Sequence, residues 1–377
     1  MQNAVKHLKH ILVSSLMKLK FFALFTIFLW NSIQSKAQPP DSLKLTIFED
    51  VVYFDGYAAL VPLSVKEGLF RSNTSYTRQL SSSEIEMLTK GDVKMHVNLN
   101  AACDNYDRLA DVSLLFVEKG KAYTQAAKQV EIGRYITPFM DMNKQPNVRP
   151  YFWEVSAIGD VLRNSSMLKK YDVYIQMNIF GVPYAAQKQI KGCEGKNNVF
   201  VGDLYFTIFP AKNKLKTDYQ LHTIAYQDSL SNYKSTDTLG KTTKSYTFNT
   251  KKELKDLQLY IISSNHGANR NGEEYNRRIH YIYLDNALIF KYIPGESTCE
   301  PYRKYNTQSN GIYGKTVKTD EQWQKFSNWC PGAVIPLRKV AISKLKNGTH
   351  QLRISVPDAK FENKEGTIPV SAYFIGR

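Results

Sequence analysis

The sequence contains no Cys-x-x-Cys, no His-x-His or His-x-x-x-His pair and no Gly-x-Ser-x-Gly elbow. The first absences remove the usual metal frameworks, and the last removes the serine-hydrolase turn. Runs of five or six like charges are also missing. The 50 lysines and arginines exceed the 34 acids, for a formal net charge of +16, but they are scattered. That reads as a solvated surface rather than a nucleic-acid footprint. Helical patterning is scarce, and no internal repeat is evident. The apolar run Phe21–Trp30 is too short to span a bilayer.

What is present begins with that run. Lys18 and Lys20 precede it and Ser35-Lys36-Ala37 follow it, so residues 1–37 read as a secretory signal peptide. No cysteine sits at the cleavage site, so no membrane anchor is expected, and the protein should be secreted or periplasmic. The leader removes five lysines and leaves 45 basic residues against 34 acidic ones. Four cysteines, an even number in an exported chain, predict two disulfides.

The remaining chain is dominated by short alternating segments. "DVYIQMNIF" puts Val173, Ile175, Met177 and Ile179 on one face and Tyr174, Gln176, Asn178 and Phe180 on the other. "DLQLYIISS", "RRIHYIYLD" and "HQLRISVPD" alternate in the same way, bounded by Gly, Asn and Pro turns. Only "SSSEIEML", with its Ser-x-x-Glu cap, and Ser156–Leu168 look helical. The pattern predicts an all-β protein of two sandwich domains. They are expected at residues 38–209 and 217–377, joined by the linker 210–216 in "FPAKNKLKTDY".

Two places carry chemistry. "CDNYDR" (Cys103–Arg108) holds two aspartates in a tight loop before the strand "LADVSLLFV"; the plain alternative is an Asx-rich turn. Glu273 and Glu274 stand at the mouth of the strand in "GEEYNRRIHYIYLDN", where a solvated strand entrance is the plain alternative. With metal and serine chemistry removed, carboxylate chemistry is what survives.

At these residues the chain resembles the peptide-N-glycosidase F family, secreted amidases that release whole N-linked glycans. "CDNYDRLADVSLLF" is similar to the family's Cys-Asp-x-aromatic-Asp-Arg turn, and "EIGRYITPF" to its Gly-Arg-aromatic-Ile-Thr-Pro segment. "SSNHG" followed by "GEEYNRRIHYIYLDN" resembles its glycine-rich loop and Glu-containing strand, and "NWCPGAVIPLR" its Trp-Cys-Pro-Gly segment. The four occur in family order. The resemblance implies two eight-stranded antiparallel jelly rolls side by side, with the site in the cleft between them. It places Asp107 and Glu274 as the catalytic carboxylates, and Arg108, Asn178, Phe180, His266 and Trp329 as substrate contacts. It implies an N-glycoprotein or glycopeptide substrate, a monomer, and no metal or organic cofactor.

Departures from the pattern matter. Asn178 stands where the family has an acid, Phe180 where it has tryptophan, and Phe326 where it has a substrate-binding arginine. A slow enzyme is therefore expected, with a glycan-binding relative that has lost turnover as the alternative. A copper-dependent double jelly roll would need histidine and methionine ligands that do not assemble in this sequence. The resemblance also pairs Cys299 with Cys330 and makes Cys103 half of a second bridge, which leaves Cys193 as its partner.

Overall fold

The computed structural model describes residues 42–377, apart from 214, 234–236, 239–240, 269–271 and 309. The expected leader, residues 1–37, lies outside the described residues. The alternating segments form strands, and every strand pairing among the described residues is antiparallel.

The first sandwich packs two sheets. One has the order β1 (Leu43–Phe54), β9 (Asn198–Pro210), β4 (Gly91–Ala101), β7 (Val148–Glu154). The other has the order β15 (Val334–Ile335), β6 (Lys128–Ile136), β5 (Leu109–Glu118), β8 (Tyr171–Ile179), β3 (Ser75–Gln79), β2 (Leu69–Arg71). The second sandwich pairs the sheet β10 (Gln220–Leu230), β18 (Ile368–Gly376), β12 (Leu254–Ser263), β16 (Arg338–Leu345) with the sheet β11 (Thr243–Thr250), β17 (Gly348–Ser355), β13 (His280–Leu284), β14 (Ala287–Tyr292). Among the described residues the second sandwich has the eight strands expected. The first has more, because the short β2–β3 hairpin lengthens its edge and β15 arrives from far along the chain.

Burial follows the pattern read from sequence. On β8, Val173, Ile175, Met177 and Ile179 enter the core while Tyr174, Gln176 and Asn178 stay partly exposed. The Ser81 hydroxyl and Glu84 close a capping box on the helix Ser82–Leu88. The stretch expected as one helix over Ser156–Leu168 is two, Ser156–Leu162 and Ser165–Lys170, because Asn164 caps the second helix through Met167 N–H.

Nearly every residue of β5, β6 and β18 is buried. These strands cannot alternate because a sandwich core covers one face and the neighbouring sandwich covers the other. The seam between the sandwiches has an apolar part, Ile136, Ile262, Trp329 and Ile335, and a polar part centred on Arg134. That guanidinium grips Glu131 through two hydrogen bonds of 2.6 and 2.7 Å. It also donates to Ser264 Oγ at 3.0 Å and to the Pro369 carbonyl at 2.8 Å. Ser371 Oγ donates to Glu131 from the second sandwich. With both charges buried and each bonded to groups of the second sandwich as well as to each other, the pair ties the two sandwiches together across the seam.

Candidate active site

Asp107 lies in the loop between β4 and β5, and its neighbour Asp104 determines the loop's shape. Asp104 is fully buried and accepts from Arg108 Nε at 2.7 Å, Arg108 Nη2 at 3.2 Å, Tyr106 N–H at 3.0 Å and Val182 N–H at 2.7 Å. One carboxylate thereby gathers the loop, the arginine and the segment after β8. Arg108 is thus bonded to Asp104 rather than to Asp107, although it stays near enough to hold the Asp107 carboxyl down. Burial outweighs that effect and raises Asp107 to about 6, with the Asp104 charge adding to the rise.

Glu274 does not sit on a strand. β13 begins at His280, and Glu273 and Glu274 form a turn ahead of it. The turn is held from behind. Asn328 Nδ2 donates to the Glu273 and Glu274 carbonyls at 2.7 and 2.6 Å, and Asn328 N–H donates to the Glu274 carbonyl at 2.9 Å. Glu273 is fully buried, paired with Arg278 at 3.0 Å and accepting from Lys360 N–H at 2.8 Å. The two adjacent glutamates are therefore different groups, a buried anchor followed by a carboxyl raised to about 7. Burial is the largest cause of that rise and the charge of Asp107 the next, with Glu365 adding to it. The Tyr275 hydroxyl and Gly267 N–H, which hydrogen-bond Glu274, oppose it. Asp107 and Glu274 thus meet electrostatically although 167 positions separate them in the sequence.

The other expected contacts fall in two places. His266 pairs with Thr367 across a bridge, its Nε2 lies 2.8 Å from Ser264 Oγ, and its ring stands 6.1 Å from Trp329. Burial first and Arg134 second push His266 down to about 3, so it is neutral at working pH. Trp329 is 6% exposed and donates to the Asn265 carbonyl at 3.1 Å. It belongs to the seam and offers a ligand little surface. Phe180 is half-buried at the end of β8, edge-on to Tyr57 at 5.3 Å. Asn178 Nδ2 bonds Asp111 Oδ1 at 3.0 Å and Gln176 Oε1 at 3.3 Å. Phe326 packs on Trp323 and Tyr275.

Sequence reasoning missed four residues. Asp104 and Asp107 look alike in "CDNYDR", and only the partners each meets in the fold separate the clamp from the candidate base. Tyr275 was visible beside Glu274 but carries no motif. Glu365 is brought to Glu274 by a close loop crossing: Gly366 has φ +81, and a Cβ there would lie 2.0 Å from the His266 carbonyl oxygen. Asp111, raised to about 6 by burial and then by Glu131, is hidden inside an apolar strand. Disulfides join Cys103 to Cys193 and Cys299 to Cys330. The first staples the segment after β8 onto the Asp107 loop. Among the described residues, no three His, Cys, Asp or Glu side chains are grouped as a metal ion would require. No helix among them is long and apolar enough to cross a membrane.

Two antiparallel β-sandwiches joined along a seam, with a coupled pair of raised carboxyls supplied by loops of both, define a double-sandwich protein with acid–base potential. The chain belongs to the peptide-N-glycosidase F family: the family's N-terminal model matches residues 44–194 and its C-terminal model residues 232–375. A solved structure of PNGF-II matches with a TM-score of 0.64 and 17% identity, over 89% of this chain and 66% of that one. The chain therefore spans just under two thirds of PNGF-II. PNGase F from Flavobacterium meningosepticum, described as a glycosylasparaginase, matches with a TM-score of 0.57 and 16% identity, over 89% of this chain and 96% of that one. A peptide-N(4)-(N-acetyl-beta-D-glucosaminyl) asparagine amidase matches with a TM-score of 0.59 and 18% identity over the same shares. At these identities the likeness shows the fold. No curated protein sequence matches the chain.

Proposed function

We propose that the chain is a secreted or periplasmic amidase, acting as a monomer on N-linked glycoproteins and glycopeptides. It cuts between the asparagine side-chain nitrogen and the first N-acetylglucosamine and releases the intact glycan. The observation that carries this reading is the Asp107–Glu274 pair, two acids from different sandwiches raised to about 6 and about 7.

Amide hydrolysis needs a base, a stabilised oxyanion and a proton for the leaving nitrogen. Asp107, ionised, takes a proton from water, and the oxygen adds to the amide carbon. Arg108, fixed by Asp104, faces the negative charge that gathers on the carbonyl oxygen. The C–N bond then breaks, its electron pair goes to nitrogen, and Glu274 supplies the proton. The products are an aspartate side chain and a glycosylamine. Two neighbouring carboxyls with separated pKa values suit such a division of labour.

The test is incubation with a denatured N-glycoprotein, followed by gel mobility, released glycan and conversion of asparagine to aspartate by mass spectrometry. No release on prolonged incubation overturns the reading. Asn178 supports a second one. Its neutral amide is held by Asp111 and Gln176 at the position where the family's pattern has an acid. A glycan-binding relative without turnover would then retain free glycan and release none.

A further inference from the structure

Beside the Asp107 loop, the first sandwich presents an aromatic surface that the proposed chemistry does not use. Tyr57 is 74% exposed and Tyr184 is 52% exposed, although burying a tyrosine ring is favourable. Neither ring hangs on a loose loop. The turn after β1 is held by Asp55, itself 4% exposed, whose Oδ1 accepts from Tyr57 N–H at 3.0 Å and whose carbonyl accepts from Asn73 Nδ2 at 2.9 Å. The Tyr184 hydroxyl is turned toward the same Asp55 carboxylate. Gly56 N–H donates to the Gly181 carbonyl at 2.9 Å. A Cβ on Gly56 would lie 2.5 Å from the Phe180 ring, so only glycine lets the turn close against that ring.

This surface is tied to the loop of the candidate site. Val182 N–H, two residues before Tyr184, is bound to Asp104, and Asp104 holds Arg108 next to Asp107. The segment carrying Tyr184 is further tied to the loop by the Cys103–Cys193 disulfide and by Asn105 Nδ2 donating to Gln189 Oε1 at 2.7 Å. Two exposed rings are therefore locked to the loop that carries the candidate base. Surface rings held in place at no benefit to a core suit stacking on a ligand, because their ordering cost is met before binding.

We infer that Tyr57 and Tyr184 form a pyranose-stacking subsite for the outer sugars of the glycan whose asparagine linkage lies at Asp107. The inference rests on the proposed substrate class. A sugar ring offers a flat C–H face to an aromatic ring and keeps its hydroxyls in water. That suits a surface whose rings are exposed and whose acid is buried beneath them. The apolar side chains of an unfolded peptide are the competing occupant.

The test uses the full-length protein with Tyr57→Ala and Tyr184→Ala, singly and together, and Tyr57→Phe as the ring-preserving control. The substrates are two glycopeptides of one sequence, carrying either a full biantennary glycan or only the two innermost N-acetylglucosamines. Binding of the free biantennary glycan to Asp107→Asn, with and without the alanine substitutions, gives a readout independent of turnover. The double variant is expected to raise KM and the glycan Kd roughly five- to tenfold for the long glycan, through loss of two ring contacts. The penalty for the short glycan is expected to be far smaller, and Tyr57→Phe should stay close to the parent. Equal effects on both glycans, or a penalty that follows peptide length, overturn the subsite. So does wild-type affinity in the double variant. If the parent neither releases nor binds glycan, the substrate reading itself has failed and the subsite falls with it.

Discussion

Asn178 Nδ2 donates to Asp111 Oδ1 at 3.0 Å across the β5–β8 ladder, where the two residues are directly opposite. Asp111 is 7% exposed and raised to about 6, by burial first and the Glu131 charge second. A carboxyl that titrates higher folded than unfolded binds more protons in the native state. Its ionisation therefore costs nothing below about pH 4 and destabilises the fold as pH rises through 6. Asp111→Asn should match the parent in denaturant unfolding near pH 4 and exceed it by about 1–3 kcal/mol at pH 8. Asn178→Glu, which sets a second carboxyl against the first, should unfold at lower denaturant, with the deficit growing as pH rises.

The rate should follow a bell-shaped pH profile. Asp107 becomes an effective base as pH rises through about 6, and Glu274 ceases to be a proton donor as pH rises through about 7. The maximum therefore falls between those values, which belong to the coupled pair. Asp107→Asn should fold normally and lose about 10²–10⁴-fold in kcat. The same substitution should also move the Glu274 carboxyl band downward in infrared titration, because the charge that helps raise it is gone. An unmoved band would separate the two residues.

Glu273 and Glu274 should fail in different ways. Glu274→Gln is expected to lower kcat while matching the parent in unfolding near pH 4 and exceeding it above pH 7, where the raised carboxyl no longer has to ionise. Glu273→Gln breaks the pairing with Arg278 and weakens the acceptor for Lys360 N–H. It should cost about 1–3 kcal/mol of stability, with activity lost only as the turn loosens. Parallel unfolding and kinetic measurements decide the matter, and a stable but inactive Glu273→Gln would reverse the assignment.

The Cys103–Cys193 bridge closes a loop with a sequence separation of 90. Replacing both cysteines by serine should lower stability by about 2–4 kcal/mol through the freed chain entropy. The Asp107 loop should also become more susceptible to proteolysis between Ala102 and Arg108. Replacing Cys299 and Cys330 should destabilise less, since their separation is 31, and should spare that loop.

The fold was legible wherever one face of a strand meets water. Val173 to Ile179 alternates on paper as it does in space, and Ser81 with Glu84 announces its helix. Legibility fails where burial is two-sided. "LADVSLLFV" shows a strand but gives no sign that Asp111 faces a second sandwich, because the residues it meets there, Gln227 and Tyr226, lie far along the chain. The site was legible as motifs and illegible as geometry. Asp107 and Glu274 stood out, whereas the buried clamp Asp104, the anchor Glu273 and the neighbour Glu365 are distinguished only by what packs on them. The strand at whose mouth Glu274 was expected starts six residues later, since the Glu273 and Glu274 carbonyls accept from Asn328 rather than from a neighbouring strand.

The clasp of β15 on β6, where Val334 faces Tyr135 and Ile335 faces Arg134, has a consequence for how the chain is made. About 200 residues separate the partners, so the edge of the first sandwich waits on the ribosome until nearly the whole chain has emerged. Until then β6 shows an unpaired strand edge, and Glu131 with Arg134 has only part of its hydrogen-bonding shell. Long-range closure of this kind slows folding and exposes a sticky edge meanwhile. The two halves are thus separable as sequence but not as synthesis products. A ribosome-released first half should aggregate, and the second half supplied in trans should rescue it only if it carries Val334 and Ile335.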